Sequence, residues 1–209
     1  YPPPWVMPLA CHRVGTNEKG PLIGMQQINF CIQSQDAFKN KLCVSVADSA
    51  YSSPACLLEA FKNPNQVHIS RVRSNRVFYS PFVEETNVKK IAVKIRTSKK
   101  GRKKRFGKKF KLNDQATWGK PDDIKIFTTI TAKGKTYRVE IKCWNTMIMR
   151  GTHESNVAEY PFRLVQICVY QESGKVLFKK PLWLMVAGER RIELSLQDIF
   201  YSYRQRFDL

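Results

Sequence analysis

Acidic side chains are scarce: 17 Asp and Glu stand against 36 Lys and Arg, a net charge of +19. Self-repulsion on that scale opposes compaction, and a polyanionic partner relieves it most simply, with nucleic acid the first candidate. No stretch approaches the roughly 20 continuous apolar residues of a membrane helix. No basic amphipathic helix accompanies the charge either, so a membrane partner is not expected. A secretory signal is missing, because Tyr1-Pro-Pro-Pro-Trp5 offers neither a charged nor an apolar leader region. An initiator Met is missing too, as in a chain that begins inside a longer protein. The six cysteines include no C-x2-C pair, and Cys43 and Cys168 sit inside apolar runs. Scattered thiols of this kind fit a reducing, cytoplasmic compartment. His12, His68 and His153 lie far apart without ligand spacing, which argues against a zinc site. A nucleophile elbow and a phosphate loop are absent, which disfavours a hydrolase of small substrates.

What is present is enough for a core. Hydrophobic residues make up 43% of the chain, with 4 Trp, 12 Phe and 8 Tyr, which suits one sizeable domain or a domain with a large insertion. After a Pro-rich entry segment, Leu22, Ile23, Met25, Ile28, Ile32 and Phe38 recur mainly at helical spacing, predicting an amphipathic helix over 21–38. The run 41–48 (KLCVSVAD) reads as a buried strand ending in an acid. Ser53 and Pro54 then open a helix to about Asn63, with Ser as N-cap and Pro in the first turn. Gln66–Val72 follows as a second strand of alternating character. Strand, helix and strand with short connections imply a parallel pair in an α/β layer.

Beyond Arg73 helical periodicity nearly vanishes until 187. Strand-like runs occupy 76–82, 90–96, 124–131, 136–144, 162–170 and 176–186, with turns at Lys133-Gly134-Lys135 and Glu172-Ser173-Gly174. The reading is a β-rich module following the α/β part. Over 193–209 helical spacing returns through Leu194, Ile199, Phe200, Tyr203 and Phe207, with Ser195 as a cap.

Four features carry chemistry, each beside a plainer alternative. Asp48 stands just past a buried parallel strand, at the sheet edge where α/β folds place ligands. A carboxylate there suits Mg2+, which takes exposed oxygens and keeps several waters; the alternative is a turn-capping Asp. The run KKGRKKRFGKKFK contributes Lys99, Lys100, Arg102, Lys103, Lys104, Arg105, Lys108, Lys109 and Lys111. Such a loop, kept pliable by two glycines, would grip phosphates with steep salt dependence and no sequence preference; the alternative is a solvated charged loop. Phe106 and Phe110 either stack on bases or anchor it. Tyr203 and Arg206 stand three apart on one helical face, fit to hold a phosphate, or belong to an ordinary surface helix. Trp118 and Trp144 either stack on an unpaired base or pack in the core.

Asp48 within ADSAY, a long β-rich stretch and then Tyr203-x2-Arg206 on a helix resemble the insertion-sequence DDE transposases. The branch is the one with a Y-x2-R-x3-E-x6-K signature. The likeness in wording runs from the N-terminal segment through KLCVSVADSAYS to YRQRFDL. The resemblance implies an α/β fold: a partial RNase H-like domain interrupted by a large β-rich insertion. In that division 1–73 is the start of the catalytic core, 74–187 the insertion with its basic loop 99–111, and 188–209 the start of the catalytic helix. It also implies two divalent metals, Mg2+ or Mn2+, held by two Asp and one Glu for phosphodiester cleavage and strand transfer. Asp48 matches the second Asp. The first Asp is expected before Tyr1, the Glu directly after Leu209 and the Lys seven residues further. Asp36 and Glu193 are poor substitutes, the first in or just after a helix, the second outside the Tyr/Arg register. The chain as given is therefore expected to bind DNA without cutting it. The implied partners are transposon ends and target DNA, with a homodimer of the parent protein at paired ends, in the cytoplasm and on the bacterial nucleoid. A rival reading is a non-catalytic basic DNA-binding protein derived from a transposase; another is a nuclease of the same fold with different targets.

Overall fold

The computed structural model describes residues 10–83, 105–131, 134–151 and 156–207. Three helices, α1 (Gly20–Ser34), α2 (Pro54–Ala60) and α3 (Leu196–Arg204), pack on a mixed sheet. The sheet strands are β1 (Cys43–Ala47), β2 (Gln66–Val72), β5 (Asp123–Ile130), β6 (Thr136–Met147), β7 (Phe162–Gln171) and β8 (Leu182–Ala187), in the order β1-β2-β8-β7-β6-β5. β3 (Val77–Pro81) and β4 (Phe106–Lys111) form a separate antiparallel pair. That pair is joined to the end of β6 by a bridge between Tyr79 and Ile148.

β1 and β2 are parallel, as the strand–helix–strand pattern predicts, with Val44 opposite Val67 and Val46 opposite Ile69. α2 supplies the crossover, opened by Ser53, whose hydroxyl accepts the Cys56 amide. Every later contact in the sheet is antiparallel. β8 lies directly against β2, so strands from both sides of residue 73 share one sheet. The hydrophobic pattern of 74–187 marks its strands; the sheet that they join is set by this long-range pairing.

Each face of the sheet has its own core. α1, α2 and the β3–β4 pair cover one, around Met25, Leu57, Phe78, Phe110, Trp183 and Met185. α3 covers the other, around Ile69, Val139, Ile141, Leu184, Val186 and Ile199. β2 is buried along almost its whole length because it is covered on both faces. Its alternation is therefore not polar-outward: Gln66, His68 and Ser70 form a buried polar row. α1 and α2 are tied together by Asn29, whose amide donates to both the carbonyl and the carboxylate of Glu59.

Two expectations for the basic run need correction. Phe106–Lys111 is a strand, paired with β3 from Val77↔Lys111 to Pro81↔Phe106. Gly107 serves close approach rather than pliability, since a Cβ there would lie 2.6 Å from the Pro81 carbonyl oxygen. Phe110 is buried in the first core and Phe106 packs on Tyr79, so both rings anchor the strand. The run 90–96 lies outside the described residues, and the last strand is shorter than its apolar pattern, beginning at Leu182. The turns are as read, with Gly134 and Gly174 both at positive φ.

α3 begins with a reciprocal cap: the Ser195 hydroxyl accepts the Asp198 amide and the Asp198 carboxylate accepts the Ser195 amide. Arg163, buried on β7, donates to the carbonyls of Arg191 and Leu194 and so fixes the loop leading into the helix. Loss of the cap in Ser195→Ala should cost about 1 kcal/mol, read as a lower urea midpoint at unchanged denaturant slope.

Candidate functional site

β1 runs out at Ala47, and the next residue caps a 3-10 turn, Ser49–Tyr51: the Asp48 carboxylate accepts the Ala50 amide at 2.8 Å. The capping role and a site role coexist, because the other carboxylate oxygen faces Arg206 Nη2 at 3.7 Å. Side chains from opposite ends of the chain thus meet at the carboxyl end of β1. The turn is seated by Tyr51, whose ring lies so close to α1 that a Cβ on Gly24 would stand 2.6 Å from its hydroxyl.

Arg206 arrives there because of how α3 packs. Leu196, Ile199 and Tyr203 are buried on the sheet, Phe200 packs edge-on against Phe127, and Arg204 donates to Thr129. The helix ends at Arg204 and tightens into a 3-10 turn, Gln205–Phe207. Tyr203 is only 3% exposed, so it and Arg206 do not share a solvent face as helical spacing predicts. The aromatic ring is drawn into the core, while the guanidinium stays at the surface beside Asp48. At half exposure this ion pair contributes under about 1 kcal/mol to stability. Its consequence is electrostatic: a cation stands beside the carboxylate that was expected to hold a metal ion.

The described residues do not fit a two-metal centre. Among them no three His, Cys, Asp or Glu side chains come together to hold an ion. Asp36 pairs with Lys39 after α1, and Glu193 is gripped by Arg190 through two contacts of 2.7 Å, which hold its carboxyl below the usual range. Neither joins Asp48 in such a group.

Of the basic run, Lys99, Lys100, Arg102, Lys103 and Lys104 lie outside the described residues. Arg105 is exposed and donates to Asn156. Lys108 and Lys109 project from β4, and Lys111 pairs with Asp114 at 3.5 Å. Trp118 and Trp144 belong to an aromatic cluster with Phe110 and Trp183. Both indole N–H groups are satisfied, by the carbonyls of Lys111 and Gly119. Trp144 is 6% exposed and serves the core; Trp118 is half-buried. Both also reach the wall of a cavity of about 490 Å³ shared with Lys108, Lys109 and Lys120.

The buried His68 is a feature that its spacing did not reveal. Its Nδ1 lies 2.9 Å from the Ser45 hydroxyl, which also accepts from Gln66 Nε2 at 3.2 Å. Burial pushes its pKa down to about 4, against a smaller upward contribution from the Tyr51 backbone. It is thus a neutral strut under the Asp48 turn. No local pattern marks this role, because Ser45 and His68 become direct partners only through the register of the parallel pair.

Among the described residues no helix is long and apolar enough to cross a membrane. A family model described as DDE superfamily endonuclease matches residues 16–146, more than half of the chain. No curated protein matches it, and no solved structure does.

The depressed pKa of His68 makes stability depend on pH. The unfolded imidazole, near 6.5, binds its proton more tightly than the folded one, so stability is complete above pH 6.5 and drains as pH falls toward about 4. Between pH 7 and pH 5 the residue should remove about 2 kcal/mol. Urea midpoints of wild type and His68→Gln at the two pH values test this: the variant should start less stable and lose less on acidification.

Proposed function

The chain belongs to the DDE superfamily endonucleases, and from that membership we propose that it is the DNA-gripping part of an insertion-sequence transposase of the Y-x2-R-x3-E-x6-K branch. Asp48 is the second carboxylate of the triad, and Tyr203 and Arg206 are the first two members of the signature. The observation that carries this reading is the meeting of Asp48 and Arg206 across the fold, 3.7 Å apart at the end of β1. Two motifs that resemblance alone had linked lie in one place.

Nucleases of this superfamily use divalent metals and act on DNA. Such ions supply phosphodiester cleavage and strand transfer in the intact enzyme, and of the residues that would hold them this chain would contribute Asp48. In this chain Asp48 offers one carboxylate, and Arg206 holds a positive charge beside it, suited to a DNA phosphate. The backbone is gripped by the basic surface, with Lys108 and Lys109 on β4 and the preceding run 99–105. The cavity beside Trp118 and Trp144 is where an unpaired base would stack. Among the described residues Asp48 has no second carboxylate with which to organise two ions, and on this reading the chain by itself binds DNA without cutting it. In this it behaves as the non-catalytic, transposase-derived binding protein of the rival reading.

Incubating the protein with supercoiled plasmid in Mg2+ or Mn2+ should give no nicking, while mobility shifts should show binding that weakens by orders of magnitude between about 50 and 200 mM salt. Metal-dependent nicking that disappears in Asp48→Ala would overturn the inactivity. Binding that ignores salt, or no binding, would overturn the DNA reading itself.

A further inference from the structure

Immediately beside the Asp48 turn lies a small cleft of about 220 Å³, walled by Ser49, Ala50, Ser52, Ser53, Arg73 and Arg76. No acidic residue lines it. Among the described residues Arg73 directs only Nε to the protein, donating to the Ser49 hydroxyl at 3.3 Å, and Arg76 donates through Nη2 to the Ser52 carbonyl at 3.0 Å. Neither guanidinium has a carboxylate partner among the described residues. Ser49 accepts from Arg73 and Ser53 accepts from the Cys56 amide, so each hydroxyl still has its proton to donate. Two cations and two hydroxyl donors converge on a space large enough for a phosphate group with one or two waters, each about 30 Å³.

The placement comes from the fold. Arg73 and Arg76 follow β2, whereas Ser49, Ser52 and Ser53 follow β1; the parallel pairing puts both strand ends on one edge of the sheet. Ser49 and Ala50 belong to the very turn that Asp48 caps.

We propose that this cleft is a binding site for a backbone phosphate of a DNA strand, adjacent to the phosphodiester that lies at Asp48. Arg73 makes the main charged contact, through the Nη groups left over from its bond to Ser49. Arg76 shapes the wall by holding the Ser52 carbonyl and adds a second charge. Ser49 and Ser53 contribute neutral hydrogen bonds. The inference rests on the DNA-binding reading and assigns to it a contact outside the basic run and outside Tyr203 and Arg206.

Fluorescence anisotropy with a labelled DNA duplex, read as the slope of log K against log salt, tests it. Loss of one phosphate contact in Arg73→Gln should make the slope shallower by about 0.9 and weaken binding several-fold, and Arg73→Lys should restore the slope. Ser49→Ala removes no charge, so it should weaken binding a few-fold at an unchanged slope. Arg73 is exposed, so its variants should keep the wild-type urea midpoint. Arg73→Gln with the wild-type slope, or Ser49→Ala with the wild-type affinity, overturns the cleft while leaving DNA binding standing. Wild-type protein that binds no duplex at any salt overturns the broader reading, and the cleft with it.

Discussion

The antiparallel ladder between β2 and β8 is the contact on which the rest of the molecule depends. It welds the parallel β1–β2 pair to the antiparallel strands β5–β8 and makes β2 an interior strand. Side chains alternate along β2, so a slip of one residue would send Val67 and Ile69 away from α3 and bring Gln66, His68 and Ser70 into their place. Both cores would lose their lining at once. The buried polar row depends in turn on the parallel register of β1 and β2, which sets the Ser45 hydroxyl against His68 Nδ1 and Gln66 Nε2.

From that seam the site follows by steps. β8 leads into the loop that buried Arg163 holds by its carbonyls, and the loop aims α3 across the second face of the sheet. Packing of Ile199 and Tyr203 sets the height of the helix, and its 3-10 end delivers Arg206 to Asp48. On the other side of the turn, the ends of β1 and β2 bring three serines and two arginines around one cleft. The Asp48 turn therefore lies between two sources of positive charge.

Local structure was legible because its causes are local. Ser53-Pro54 opened α2, Ser195 opened α3, and Gly134 and Gly174 marked turns that need positive φ. The boundaries of β2, β5 and β7 fell close to the apolar patterns. The strand at the end of the basic run is hidden for a physical reason: with charged side chains along it, it carries only Phe110 as its buried mark. Its partner β3 lies far back in the chain, where no local window shows it. The burial of Tyr203 is hidden similarly, because spacing places it beside Arg206 but cannot say which of the two the sheet will bury.

What the sequence by itself determined is the chemistry at hand: an excess of cations that calls for a polyanion, a strand ending in Asp48, and Tyr203 and Arg206 near the other terminus. It also carried the family likeness, through motifs short enough to be read in order. Only the tertiary structure decided that Asp48 and Arg206 touch, that His68 is a buried strut, and that Arg73 and Arg76 face the serines of the Asp48 turn. Periodicity and capping report the preferences of neighbours along the chain. Contacts between distant segments arise from strand pairing and two-sided burial, which depend on the whole sheet.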